Sequence, residues 1–165
     1  MKLEVCRWPE PVLAEKAAPI EEITPEIKEL VEHMVETMYA DDGVGLAAPQ
    51  VGEGIRLICI DQTGPKERGD LRVLINPEIV ECDGSVDSEE GCLSCPGFTG
   101  NVKRSERVKV TAKNLEGEEL CIETDGYLAI ILQHEIDHLD GTTIVDRASR
   151  LKQAMYRKKA QRWTK

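Results

Sequence analysis

The sequence predicts an α+β fold: a central helix packed against a largely antiparallel β-sheet, with one helix before the sheet and another after it. Three observations carry this. Short β-rich runs gather in the middle of the chain, between segments whose apolar residues repeat with helical spacing. The central helical segment opens with Tyr127, Leu128, Ala129, Ile130, Ile131 and Leu132, apolar nearly all round, and such a helix belongs in the middle of a domain. No repeat, low-complexity tract or linker divides the 165 residues, which predicts one compact domain over 1–165.

The elements follow in order. Thr24-Pro25-Glu26 is a helix start, with a capping Thr, Pro in the first turn and an acid near the positive end of the dipole. Ile27, Leu30, Val31, Met34 and Met38 then recur on one face until Asp41-Asp42-Gly43. His33, beside this stripe, reads as a surface residue, and the methionines read as core filler. Strands are expected at 56–60, at 72–76 closed by Pro77, at 79–81 and at 107–112. Asn114-Leu115-Glu116-Gly117 forms a hairpin turn into a strand at 119–123. Asp125-Gly126 opens the central helix and Gly141 ends it. Ser149 can cap a basic final helix within 147–165.

Composition narrows the setting. No run of about 18 apolar residues appears, so no membrane span is expected. Met1-Lys2-Leu3-Glu4-Val5 lacks the apolar core of a secretory signal and the Arg/Ser bias of a transit peptide. The six scattered cysteines therefore read as reduced thiols, and the cytoplasm is the expected place of work. The net charge of −10 hides an asymmetry. Residues 147–165 hold eight of the 21 Lys/Arg and none of the 31 Asp/Glu, which leaves 1–146 with 13 bases against 31 acids, a net of −18. The basic end is either a solvated helix complementing its own dipole or a docking face for nucleic acid or an acidic partner.

The run Gln133-His134-Glu135-Ile136-Asp137-His138-Leu139 is the main chemical signal. On a helix His134 and His138 lie one turn apart on one face and can share an ion. Glu135 lies about 100° round the helix, within reach of a water held there. The plainer alternative is a helix whose histidines hydrogen-bond in the core or face solvent. A catalytic site needs a third protein ligand and an open position. Downstream of the helix stand only Asp140 and Asp146, so the usual zinc-protease pattern is missing. Upstream, Glu90-Gly91-Cys92-Leu93-Ser94 offers a thiolate, a strong ligand for zinc or iron(II). Cys92 and Cys95 also form a C-x-x-C that could close a structural Cys₂His₂ site. The long gap between the cysteine and histidine pairs, and the glutamate beside His134, speak against it. Cys6, Cys59, Cys82, Cys95 and Cys121 read as small apolar fillers. In Gly43-Val44-Gly45-Leu46-Ala47-Ala48-Pro49-Gln50, two glycines free the backbone to pair with an extended ligand, and Gln50 offers an amide donor.

These three segments, in this order, resemble the signature motifs of the peptide deformylase family, in its type I bacterial form, and the likeness extends over nearly the whole chain. Cys95 departs from the aliphatic residue usual there. The resemblance implies a hydrolase that removes the formyl group from the initiator methionine of nascent chains and releases formate. It implies Cys92, His134 and His138 as metal ligands, Glu135 as acid/base, and Gln50 with the backbone N–H of Leu93 as oxyanion donors. Backbone at Val44, Gly45 and Gly91 would hold the peptide as an added strand. Val44, Tyr127, Ile130 and Ile131 would contact the methionine side chain. The ion implied is iron(II), with zinc or nickel able to replace it. Glu90 and Arg104 would pair to brace the cysteine segment, and the basic C-terminal helix would dock on the ribosome. A metalloprotease of unusual ligand set and a non-enzymatic zinc module are the competing classes.

Overall fold

Thr24 begins the first long helix as expected: its Oγ1 accepts from the N–H of Ile27 at 3.3 Å at the head of α1 (Pro25–Ala40). In the computed structural model, residues 1–162 are described, and the part of the expected basic helix at 163–165 lies outside them. The strands are β1 (Gly45–Ala47), β2 (Leu57–Ile60), β3 (Arg72–Asp83), β4 (Val86–Cys92), β5 (Cys95–Arg104), β6 (Arg107–Lys113) and β7 (Glu119–Asp125). A one-turn α2 (Gly64–Glu67) follows β2, and α3 (Gly126–Leu139) and α4 (Arg150–Ala160) follow the strands. Five strands form one antiparallel sheet in the order β1-β2-β3-β6-β7, and β4 and β5 form a separate hairpin.

Side-chain alternation explains why the sheet is covered on both faces. In β2, Ile58 and Ile60 enter the cluster built by Leu128, Ala129, Leu132 and Ile136 of α3, whereas Leu57 and Cys59 enter that of Val31, Met34 and Met38 of α1. The α+β expectation is thus met, with α3 against the sheet. This helix is not buried all round: Tyr127 is 54% exposed and Ile130 half-buried, because its first turn borders a cleft. His33 is half-buried rather than a surface residue. Cys82 and Cys121 are exposed on the sheet and are not core fillers, whereas Cys59 and Cys95 are buried.

Two sheet features differ from expectation. The runs at 72–76 and 79–81 belong to one strand, β3, which crosses Pro77 through register shifts between Ile75 and Glu78 and again between Ile79 and Glu81. Asn76 adopts φ 52° there and exchanges two 2.8 Å hydrogen bonds with the backbone of Ile20. Such bulges allow a proline inside a strand. The β4–β5 hairpin was not expected, since β4 is polar and glycine-bearing. Its second strand supplies the apolar face: Cys95, Phe98 and Val102 pack with Trp8, Ile144 and Tyr156.

Ser149 caps α4 by accepting from the N–H of Lys152 at 3.2 Å. The helix is docked, not loose. Tyr156 is buried against the rings of Trp8 and Phe98, at centroid distances of 5.5 and 5.0 Å, and its hydroxyl donates to Pro96 O at 2.9 Å.

Candidate active site

Three elements meet at one cleft of about 440 Å³: the segment through β1, the turn between β4 and β5, and the outer face of α3. Val44, Gly45, Gln50, Gly91, Cys92, Leu93, Tyr127, Ile130, Ile131, His134 and Glu135 all line it. His138 does not; it lies one turn further along α3, buried behind Cys92. Every residue that the motifs single out is therefore at or directly beside this cleft.

The donor atoms of Cys92, His134 and His138 all lie within 4.8 Å of one another, and the Cys92 Sγ–His138 Nε2 distance is 3.3 Å. Ligands at about 2.0–2.3 Å around one tetrahedral ion stand roughly 3.3–3.8 Å apart, so the group fits a single ion. Among the described residues Cys95 does not join this group, which leaves three protein donors and not the four of a closed structural site. The neighbouring Cys95 thiol, with His138 and His134, holds the Cys92 pKa well below the ordinary thiol range, although its half-buried position works against the charge. A thiolate is the ligand form.

The His134 ring is fixed from behind. Glu90, an acceptor only when ionised, lies 2.8 Å from His134 Nδ1, so that nitrogen donates and Nε2 keeps its lone pair for an ion. Arg104 donates to both oxygens of Glu90, at 2.8 and 2.7 Å, as the resemblance implies. Burial works against the Glu90 charge, yet Arg104 and His134 outweigh it and hold the pKa at about 2. The chain of charges continues past what the motifs signal. Asp137 accepts from Arg104 at 2.6 Å, and Arg147 donates to both Asp137 oxygens at 2.6 and 2.8 Å. Asp137 sits inside the histidine motif, one turn after His134, and this placement is the only sequence signal of its role.

Gly45 lies against the carboxylate of Glu135: a Cβ there would meet Oε2 at 2.5 Å. Glu135 is buried, which raises its pKa, and its Oε1 has no hydrogen-bond partner among the described residues. An unpartnered buried carboxylate oxygen beside three metal donors fits a group that serves a water or substrate. Gln50 is held on both sides, Oε1 accepting from Ala47 N at 2.9 Å and Nε2 donating to Ser94 Oγ at 3.1 Å. Nε2 lies 3.5 Å from Cys92 Sγ, which aims its second hydrogen at the metal group. Ser94, buried in the turn, is a positioning residue that the sequence reading passed over.

Backbone constraints are less uniform than the glycine-rich motifs suggest. A Cβ at Gly91 would meet nothing closer than Phe98 O at 3.7 Å, so close packing does not require this glycine; a side chain there would stand in the cleft wall. The carbonyl of Val44 already accepts from Asp61 N at 2.8 Å. β1 ends the order of the sheet, so its outer edge borders the cleft.

Comparison with known proteins agrees with this geometry. The family model described as polypeptide deformylase matches residues 2–154. The peptide deformylase of Thermodesulfovibrio yellowstonii is 50% identical over 157 residues, 95% of each chain. That of Desulfosudis oleivorans is 47% identical over 161 residues, 97% of this chain and 93% of the relative. Among solved structures, a peptide deformylase from Legionella pneumophila superposes with a TM-score of 0.93 at 41% identity, covering 99% of this chain and 95% of that one. The enzyme from Synechococcus elongatus, solved in complex with actinonin, gives a TM-score of 0.90 at 38% identity, covering 96% and 88%. Peptide deformylases use a catalytic metal, and the Cys92/His134/His138 group can hold one. The chain belongs to the polypeptide deformylase family.

Proposed function

We propose that this chain hydrolyses the N-formyl group from the terminal methionine of nascent polypeptides and releases formate, with Cys92, His134 and His138 as the metal ligands. One observation carries the reading: three metal donors and the unpartnered carboxylate of Glu135 converge on a cleft bordered by an open sheet edge.

A divalent ion in that group supplies, when bound, a Lewis acid that makes water nucleophilic near neutral pH. Glu135 takes a proton from the attacking water and hands it to the departing amine nitrogen; its raised pKa suits a group that carries a proton between two steps. Gln50 Nε2 and the backbone N–H of Leu93 donate to the formyl oxygen as it gains charge, about 3–4 kcal/mol for one such donor. The peptide lies along β1 as an added strand through backbone of Val44, Gly45 and Gly91, and its methionine packs on Val44, Tyr127, Ile130 and Ile131. Iron(II) is the ion proposed, with zinc(II) or nickel(II) as substitutes, since a thiolate and two imidazoles accept all three.

No described helix is long and apolar enough to cross a membrane, which supports a cytoplasmic setting. Arg150, Lys158 and Arg162 make no ion pair among the described residues, and with them α4 is proposed to dock on the ribosome. Formate release from a formyl-methionyl peptide tests the activity. Anaerobically purified protein is expected to be active and Glu135→Gln slowed about 10²–10⁴-fold. Cleavage of unformylated peptides in place of formate release would favour a protease instead.

A further inference from the structure

Cys95 touches neither the metal donors' ion nor the substrate in the reaction proposed above, yet it stands directly across a hairpin from a proposed metal ligand. Cys92 ends β4 and Cys95 begins β5, and the two are paired in register around the turn of Leu93 and Ser94. Opposed residues of antiparallel strands project to the same face, with Cα atoms about 4.5 or 5.5 Å apart. Disulfides span Cα distances of about 4.4–6.8 Å, so either pairing class brings the two cysteines within reach of a bridge. Access to the two sulfurs is unequal. Cys92 lines the cleft and is partly exposed, while Cys95 is 1% exposed beneath it, so an oxidant from solvent meets Cys92 first.

We propose that Cys92 and Cys95 form a hydroperoxide-responsive dithiol, in which Cys95 traps oxidised Cys92 as a reversible disulfide. The Cys92 thiolate attacks one peroxide oxygen and the O–O bond breaks. Sulfur gains that oxygen as a sulfenic acid, oxidised by two electrons, and the other oxygen leaves as hydroxide. The Cys95 sulfur then attacks the Cys92 sulfur; the S–S bond forms, the S–O bond breaks, and the sulfenic oxygen departs as water with the Cys95 proton. Overall a thiolate, a thiol, a hydroperoxide and one proton become a disulfide and two hydroxylic products. A dithiol reductant restores both cysteines. Without Cys95, the sulfenic acid goes on to sulfinic and sulfonic acids, which such reductants do not reverse. Resting on the ligand reading given above, the bridge also removes the anionic donor from the metal group, so that oxidation releases the ion.

The test uses purified holoenzyme treated with hydrogen peroxide, blocked with an alkylating reagent and digested. Cys92 and Cys95 share the tryptic peptide 73–103 with the exposed Cys82. The expected product has lost two hydrogens, carries no alkyl group at positions 92 and 95, and remains alkylated at Cys82. Activity recovered with dithiothreitol and added metal is expected to exceed that of Cys95→Val by about ten-fold or more, the variant instead accumulating Cys92 sulfinic and sulfonic acids. Cys95→Ser, of different polarity, repeats the comparison should the valine variant fold poorly. Overoxidised Cys92 beside an alkylatable Cys95 in the native protein would overturn the proposal. So would a bridge to Cys6, which packs in the same apolar cluster, or equal recovery by the variants. Formation of the 92–95 bridge with full metal retention would uphold the dithiol and refute Cys92 as a ligand.

Discussion

Gly45→Ala adds a single methyl group, and the structure puts that methyl inside the carboxyl group of Glu135. The new Cβ would lie 2.5 Å from Oε2 and 2.9 Å from Cδ, both below any normal contact, and a tight 3.0 Å from Cγ. Neither partner yields freely. β1 is held in register with β2 through Gly45–Ile60, Leu46–Cys59 and Ala47–Ile58, and Glu135 is buried on the central helix. Overpacking of this kind costs about 1–3 kcal/mol in stability, or roughly 2–10 °C in Tm for a chain of this size. The rate suffers as well, because shifting a reacting group by about 1 Å costs on the order of 100-fold. Steady-state formate release is expected to show kcat down about 100-fold, with KM changed only a few-fold and metal content as in the native protein. In a Glu135→Gln background the same substitution is expected to change kcat little, since both act through one carboxylate. Native kcat in Gly45→Ala, or a full second loss in the double variant, would refute this link between β1 and Glu135.

Arg104→Ala leaves the buried Glu90 without its guanidinium partner, while Asp137 keeps Arg147, and a loss of about 3–5 kcal/mol in chemical denaturation is expected, with faster loss of metal to a chelator; unchanged metal retention would remove Arg104 from the support of His134. The Glu90 pKa of about 2 lies below its unfolded value near 4.3, so its contribution is complete above the unfolded value and fades as pH falls towards 2. That difference corresponds to about 3 kcal/mol, and Glu90→Gln is expected to flatten this part of the acid limb in metal-free protein; an unaltered limb would contradict it. Replacing Arg150, Lys158 and Arg162 by Ala should spare hydrolysis and weaken ribosome co-sedimentation, with a shallower salt dependence. Intact binding would exclude α4 as the docking element. Deleting α4 is the wrong experiment, since Tyr156 and Ala160 are core residues beside Cys95.

What could be read in advance was whatever depends on short-range spacing. His134, Glu135 and His138 lie within two turns of one helix, so their shared face follows from helix geometry alone. Thr24 and Ser149 announced their helices through capping chemistry that is equally local. The β4–β5 hairpin stayed hidden because its strands face a core assembled from distant parts of the chain, namely Trp8, Ile144 and Tyr156. A run such as Val86–Cys92 carries no alternation of its own to reveal that. Pro77 suggested a strand end, but the bulges around it depend on Asn76 bonding to Ile20, a contact 56 residues away. The same effect concealed how the expected Glu90–Arg104 pair continues through Asp137 to Arg147. Within the site, the motifs pointed to which residues meet. They did not indicate that Gln50 is clamped by Ser94, or that Gly45 is needed because Glu135 occupies the place of its side chain.

X-ray absorption on the anaerobically purified protein measures the atoms around the ion directly. One sulfur at about 2.3 Å and two imidazole nitrogens at about 2.0–2.1 Å, with a light-atom ligand completing the shell, are the expected result. Two sulfurs in the shell, or none, would contradict a site built from Cys92, His134 and His138.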